Sequence, residues 1–163
     1  MTTTLPAAPT LGTMSNSATD RSLELIEVPS GPSAVTAIWD RLSAALVGDA
    51  AIAPIPQESS ALPPAVVSAI RDAVDPGRPV PMDTAVVIST SGSTGNPRGV
   101  MLTASALTSM TSHVNALAGG DPTWILAIPP TSIGGLNVVV RAKATGRLPV
   151  AVSSVGGAER FTD

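Results

Sequence analysis

The chain has 163 residues, of which 44% are hydrophobic and 13% charged, and its formal net charge is −3. This is enough for one domain with a sizeable core, and the absence of any Lys/Arg run argues against a nucleic-acid surface. With no cysteine and a single histidine, the sequence excludes disulfides, thiolate metal sites and His-rich metal clusters. No apolar run approaches the roughly 18 to 20 residues that span a bilayer, so we expect a cytoplasmic protein without membrane contact.

The first 21 residues differ in composition from the rest of the chain. They are rich in Thr, Ser, Ala and Pro and show no hydrophobic periodicity. Such a segment buries too little apolar surface to fold alone, so we predict a disordered lead-in over residues 1–21. We expect no secretory signal in it, because the stretch from Met1 to Met14 has neither a positive charge nor an apolar centre. Either methionine is a candidate start.

From residue 23 onward, strand and helix patterns alternate, which predicts an α/β fold. Residues 23–28 alternate like a half-buried strand, and apolar residues at helical spacing follow up to Gly48. The run 85–88 is apolar on both faces, as expected of a strand inside a parallel or mixed sheet. The other predicted elements are a strand at 50–55, a helix from Pro63 to Val74, a strand at 99–102, one helix from the N-cap Thr103 to Gly119, a buried strand at 124–128, a helix at 133–145 and a strand at 148–152.

A loop rich in Gly, Ser and Thr follows the strand at 85–88 directly. It runs Thr90-Ser91-Gly92-Ser93-Thr94-Gly95-Asn96-Pro97-Arg98-Gly99. Its glycines let the backbone approach a ligand closely, and its hydroxyl and backbone N–H groups can donate to phosphate oxygens. Arg98 adds a planar cation that suits phosphate, and no carboxylate in the loop repels an anion. The loop therefore predicts a phosphate-binding site.

Two better-known phosphate loops have other spacings. Neither the Walker sequence, which ends in Gly-Lys-Ser/Thr, nor the dinucleotide sequence Gly-x-Gly-x-x-Gly occurs at this position. The alternative is a plain surface turn, because Ser, Thr, Gly and Pro are common turn formers.

The ten residues of the loop resemble the signature of the adenylate-forming superfamily, which includes acyl-CoA synthetases, luciferases and peptide-synthetase adenylation domains. That signature reads Thr-Ser-Gly-Ser/Thr-Thr-Gly-x-Pro-Lys-Gly, and the chain departs from it at Arg98, where Lys is usual. The resemblance implies that the loop holds the β- and γ-phosphates of ATP, with Mg2+ as the metal ion. It further implies that a carboxylate attacks the α-phosphate and that the thiol of CoA then displaces AMP. The positions implied to bind phosphate are Thr90, Ser91, Gly92, Ser93, Thr94, Gly95, Pro97, Arg98 and Gly99.

The resemblance also sets an expectation for the domain. Residues 22–163 are expected to form an incomplete N-terminal AMP-binding domain, with a mixed sheet and flanking helices. A narrower resemblance, to short o-succinylbenzoate–CoA ligases of menaquinone synthesis, rests on the strand at 85–88, the loop, the segment 99–104, and the runs 124–129 and 133–141. It implies a small-molecule carboxylate substrate that contacts Ser132, Gly135 and Arg141.

Arg141 has a physical argument of its own. It follows three valines on a helix that is predicted to be buried, where an unpaired charge is costly. o-Succinylbenzoate has two carboxylates, of which one is activated, so a guanidinium in an apolar wall could bind the other bidentately. The alternative is an arginine that reaches the helix end or pairs structurally, and both interpretations stay open.

Ser132 departs from those ligases, in which a histidine generally precedes the Ile-x-Gly sequence. Serine can hydrogen-bond, but it has neither the ring surface nor the proton chemistry of imidazole. His113, on the preceding helix, is expected to be an ordinary helix residue and no replacement.

Residues 147–163 contain none of the later motifs that the resemblance leads us to expect, such as an aromatic-Gly-x-Thr-Glu segment. Catalysis requires both reactants to be held in line, so we expect this chain alone not to complete the ligase reaction. A separate chain that supplies the missing part is one expectation. A non-catalytic nucleotide- or phosphate-binding module and a decayed remnant are the alternatives.

Overall fold

The computed structural model describes residues 20–59, 61–91 and 96–152. These residues form eight short strands and five helices within the described ranges. The strands are β1 (Asp20–Arg21), β2 (Glu24–Val28), β3 (Ile52–Pro56), β4 (Val80–Pro81), β5 (Thr84–Ser91), β6 (Pro97–Thr103), β7 (Ile125–Leu126) and β8 (Val150–Ala151). The helices are α1 (Ser33–Leu46), α2 (Pro64–Val74), α3 (Ala104–Thr108), α4 (Thr111–Leu117) and α5 (Ile133–Ala144).

A four-stranded mixed sheet of order β2-β3-β5-β6 forms the centre of the fold. Strands β2, β3 and β5 run parallel, while β6 pairs antiparallel with β5 and lies at the edge. The remaining described strands form two separate two-stranded sheets, β1-β4 and β7-β8. The predicted α/β class, with a mixed sheet and flanking helices, is confirmed.

Alternate side chains of the central sheet pack into two separate apolar clusters. On one face, Ile52, Val86 and Ile88 pack with the buried sides of α1 and α5. On the other face, Ala53, Ile55 and Val87 pack with the last turn of α2. Successive residues of a strand point to opposite faces, so an apolar run such as that of β5 serves both clusters.

The helix predicted from Thr103 to Gly119 is wrong as a single helix. Thr103 does cap its start, because its Oγ1 accepts a hydrogen bond from the amide of Ala106 at 3.1 Å. The helix then ends at Thr108 and a second one begins at Thr111. The Thr108 and Ser109 hydroxyls donate to backbone carbonyls of the preceding turn, a bonding pattern that bends helices.

Two further expectations need correction. The buried strand predicted over 124–128 is reduced to two residues, Ile125 and Leu126, and the Ile125 side chain is 61% exposed. The predicted lead-in is too long at its end, because Asp20 and Arg21 already pair with β4. The rest of that predicted lead-in lies outside the described residues.

Candidate functional site

The predicted phosphate loop joins β5 to β6, so it is the tip of an antiparallel hairpin. Thr90 lies opposite Arg98 and Ser91 lies opposite Pro97 in the strand register. The Thr90 hydroxyl donates to the backbone oxygen of Arg98 at 3.4 Å. The four residues between the strands, Gly92, Ser93, Thr94 and Gly95, belong to the predicted site but lie outside the described residues.

The register decides which side chains of the hairpin lie on the same face. Directly opposed residues of an antiparallel pair share a face, so Thr90 and Arg98 project from one side of the hairpin. This side continues the one on which Val86 and Ile88 meet α5. Ser91 projects from the opposite side, where Val87 meets α2. The structure therefore brings Thr90 and Arg98 together and separates both from the side chain of Ser91.

Arg98 is a cation available to an anionic ligand. It is exposed, and the ion pairs found among the described residues involve other arginines, as in the 2.8 Å contact between Arg71 and Glu27. The remaining pairs are Arg41 with Glu24 and Arg147 with Asp121. A guanidinium without a carboxylate partner in the described part of the chain can form charge-assisted hydrogen bonds to phosphate.

Gly99 is held against the last turn of α2. A Cβ atom added to it would lie 2.5 Å from the Ala73 carbonyl oxygen and 3.3 Å from Val74 Cα. Real Cβ atoms do not approach backbone so closely, which explains why glycine is needed here on packing grounds alone. The packing accounts for a glycine at position 99 without the predicted role of Gly99 as a phosphate ligand.

Ser132 and Gly135 form the start of α5. The Ser132 hydroxyl accepts a hydrogen bond from the Gly135 amide at 3.2 Å and donates to the Pro129 carbonyl at 2.7 Å. A Cβ atom on Gly135 would lie 2.1 Å from that same Pro129 oxygen. Both residues therefore fix the direction in which α5 begins, and the Ser132 hydroxyl is already engaged in capping the helix.

A small pocket adjoins the start of α5. It has a volume of about 210 Å³ and is lined by residues that follow β2 and β3, such as Ser30 and Gln57, together with Pro129 and Thr131. It therefore lies beyond the carboxyl ends of the parallel strands, the position at which open α/β sheets bind ligands.

Arg141 lies in the last turn of α5, away from Ser132. Nine residues separate the two, which corresponds to about 13 Å along the helix axis. The Arg141 guanidinium carbon lies 5.4 Å from the centre of the Trp124 ring. The structure thus places Arg141 against an aromatic face and does not bring it together with Ser132 and Gly135. A role in substrate binding stays a prediction.

Sequence reasoning missed two contacts of the aromatic residues. The buried Asn115 accepts a hydrogen bond from the Trp124 indole at 3.1 Å and donates one to the Arg141 carbonyl at 3.2 Å. The Lys143 ammonium lies 3.6 Å from the centre of the Trp39 ring. Both tryptophans thus contact a cation in the last turn of α5, and no pattern in the sequence predicts these contacts. His113 is an exposed residue of α4, in agreement with the prediction of an ordinary helix position.

The described residues hold no group of three or more His, Cys, Asp or Glu side chains that could bind a metal ion. None of the helices that the structure describes is long and apolar enough to cross a membrane.

The family assignment rests on comparison with known proteins. Residues 14–148 match the model of the AMP-binding enzyme family, which is more than half of the chain. The protein belongs to this family.

Individual relatives are consistent with that assignment. The chain is 37% identical over 136 residues to the probable 2-succinylbenzoate–CoA ligases of two Mycobacterium tuberculosis strains, which covers 83% of this chain and 33% of each relative. It therefore spans about a third of the length of those curated relatives. It is also 42% identical over 84 residues to a probable non-canonical nonribosomal peptide synthetase, CymA, of Salinispora arenicola, covering 49% of this chain and 1% of that protein.

A solved structure of o-succinylbenzoate CoA synthetase (MenE) from Bacillus subtilis, in complex with the acyl-adenylate intermediate OSB-AMP, aligns with 90% of this chain and 45% of its own. The TM-score is 0.48 and the sequence identity 17%.

Proposed function

We propose that this chain is part of an AMP-forming acid–CoA ligase that acts on o-succinylbenzoate in menaquinone biosynthesis. The observation that carries the proposal is the β5–β6 hairpin, which presents Thr90 and Arg98 on one face with no carboxylate partner for Arg98 in the described structure. The sequence similarity to the Mycobacterium tuberculosis proteins supports the choice of substrate.

In this proposal the hairpin binds the β- and γ-phosphates of ATP. Arg98 supplies the positive charge, and the hydroxyl and amide groups of residues 90–95 donate hydrogen bonds to the phosphate oxygens. Mg2+ neutralises phosphate charge when bound. The chain's own contribution is to hold the triphosphate so that the α-phosphate faces the incoming carboxylate.

The carboxylate substrate would lie near the start of α5, with Ser132 and Gly135 beside it. Their amide and hydroxyl groups fix the local backbone, and the adjoining pocket of about 210 Å³ offers apolar surface for a ring. The carboxylate oxygen attacks the α-phosphorus, the bond to pyrophosphate breaks, and an acyl-adenylate forms. The CoA thiol then attacks the acyl carbonyl, the proton of the thiol passes to solvent, and AMP leaves. We place this reaction in the cytoplasm, where ATP and CoA are available.

Arg141 enters the proposal as a second anchor for the substrate's other carboxylate. Its guanidinium carbon lies 5.4 Å from the centre of the Trp124 ring, and a guanidinium can bind a carboxylate with two parallel N–H donors. Reaching a substrate at the start of α5 would require bridging most of the helix length.

We infer that the 163 residues bind phosphate without completing the ligase reaction, because they lack the Gly-x-Thr-Glu segment expected of the superfamily. The remaining active-site groups would come from further polypeptide, on a separate chain or a longer product. The alternative of a binding module without catalysis predicts the same phosphate affinity but no gain of activity when such polypeptide is added.

A chimaera tests this function directly. The matched third of the Mycobacterium tuberculosis relative is replaced by this chain, and pyrophosphate release is followed with o-succinylbenzoate, benzoate or a medium-chain fatty acid as the acid. We expect release that depends on o-succinylbenzoate, and none from this chain alone. Better use of benzoate or the fatty acid would overturn the substrate. A folded chimaera that binds tripolyphosphate but has no activity with any acid would favour the binding module.

A further inference from the structure

The backbone of Gly99 lies against the last turn of helix α2, and the role assigned to this contact rests on the proposed function of the hairpin. We propose that Gly99 is a positioning residue for the phosphate hairpin: it lets the last turn of α2 lie against β6 and thereby fixes where Arg98 meets the phosphates. This assigns α2, which carries none of the predicted site residues, a part in nucleotide binding.

The contact is backbone against backbone. A Cβ atom on residue 99 would lie 2.5 Å from the Ala73 carbonyl oxygen and 3.3 Å from Val87 Cγ1. A flexible side chain could move aside. The Ala73 carbonyl and the backbone of β6, in contrast, can separate only if the helix or the strand shifts as a whole. Any residue larger than glycine therefore pushes α2 and β6 apart.

Because of the strand register, a displacement of β6 at Gly99 also moves the neighbouring residue Arg98. Gly99 lies opposite Ser89, one position away from the Thr90–Arg98 pair. Successive residues of β6 point to opposite faces, so α2 supports the hairpin from behind while Arg98 projects from the front. Among the described residues β6 is an edge strand with β5 as its one neighbour in the sheet, so α2 supplies the support that a second neighbouring strand gives elsewhere.

The C-terminal end of α2 is itself held in place. The Arg71 side chain pairs with Glu27 of β2 at 2.8 Å, and Val74 belongs to the apolar cluster with Val87. Asp75 then ends the helix in a left-handed conformation at φ 47°, with its amide bonded to the Arg71 and Asp72 carbonyls. The Ala73 carbonyl is thus presented to β6 by a helix end whose course is fixed.

The test compares phosphate binding with stability. Inorganic tripolyphosphate is titrated into the full chain by calorimetry, well below the melting temperature of every variant. Gly99→Ala is compared with Gly77→Ala, which adds the same methyl group where nothing lies within 4 Å. Leu42→Ala, on the buried side of α1 and on the face of the sheet away from α2, is a control that loses stability without altering the contact between α2 and β6.

We expect Gly99→Ala to weaken tripolyphosphate binding by about tenfold or more, because small displacements of binding groups are costly. Gly77→Ala and Leu42→Ala should stay within about twofold of the parent chain. A purely structural role for Gly99 predicts instead that Gly99→Ala and Leu42→Ala change the affinity equally, and that result would overturn the inference.

A second variant covers the case in which Gly99→Ala does not fold. Val74→Ala loosens the last turn of α2 without adding an atom to β6, and we expect it to weaken binding by roughly threefold. Unchanged affinity in Val74→Ala would also overturn the inference. If the parent chain does not bind tripolyphosphate, the proposed function fails. If the parent and Gly99→Ala bind it equally tightly, the proposed function stands and only the positioning role of Gly99 is overturned.

Discussion

The indole N–H of Trp124 donates a hydrogen bond of 3.1 Å to the side-chain oxygen of Asn115, a residue that is only 6% exposed. The same amide group donates to the Arg141 carbonyl at 3.2 Å, so one buried side chain links α4, the segment before β7 and α5. Buried polar groups of this kind are costly when they lose a partner.

Asn115→Ala should therefore lower the free energy of unfolding by about 1–3 kcal/mol, because both the indole N–H and the Arg141 carbonyl lose a partner. Urea unfolding followed by tryptophan fluorescence measures the loss. Ser112→Ala, at an exposed position of the same helix, is the control and should change little. Equal stability of the two variants would show that the bridge contributes nothing.

Ser132→Ala should destabilise the chain by about 1 kcal/mol, because it removes the side-chain acceptor at the start of α5. Ser132→Thr keeps the hydroxyl and should recover most of the loss. Thermal unfolding of the three proteins measures the effect. If Ser132→Ala were as stable as the parent, the cap would not explain why serine stands here.

Gly135→Ala should destabilise by about 1–3 kcal/mol, since the added methyl group would overlap the Pro129 carbonyl at 2.1 Å. Gly77→Ala is again the matched control, with open space at the same substitution. The comparison by urea unfolding would contradict the packing argument if both alanine variants were equally stable.

Lys143 makes a prediction about alkaline pH. Burial lowers the pKa of its ammonium below the ordinary value of 10.5, and the Coulomb attraction of Asp40 opposes this in part. In the pH range just below 10.5 the folded chain then binds fewer protons than the unfolded chain, so the free energy of unfolding should rise with pH through that range.

Other side chains that titrate near pH 10 do not interfere with this measurement, because Lys143 is the only lysine in the sequence and there is no tyrosine or cysteine. Ordinary α-amino groups titrate near pH 8, below the range of interest. Lys143→Met should abolish the rise in urea unfolding experiments. A parent chain whose stability falls as the pH approaches 10.5 would show the opposite sign, and the contact with the Trp39 ring would then outweigh burial.

The elements that sequence reasoning predicted best are those with a strong local signal. The apolar spacing of α1, the two prolines that open α2 and the apolar run of β5 each decide one element without reference to the rest of the chain. The break between Thr108 and Thr111 was missed because hydroxyl groups that bond back to helix carbonyls look the same in sequence as ordinary helix residues.

The candidate phosphate site stays a prediction, and it rests on the same kind of local signal. The loop composition after β5 is a local pattern, and it predicts phosphate binding without reference to the fold. The packing of Gly99 on Ala73 and of Gly135 on Pro129 depends on how distant backbone segments meet, which no local pattern encodes. The fold thus gives both glycines, which the sequence predicts as binding residues, a role in packing.

The most direct test of the central claim is a calorimetric titration of inorganic tripolyphosphate into the parent chain and into Arg98→Ala and Arg78→Ala. Arg78 is another exposed arginine without an ion pair in the described structure, so its loss controls for charge. We predict binding by the parent and a loss of about 10- to 100-fold in Arg98→Ala, the value of a charge-assisted hydrogen bond. Arg78→Ala should bind like the parent. No binding by the parent, or equal losses in the two variants, would contradict the assignment of the β5–β6 hairpin as a phosphate site.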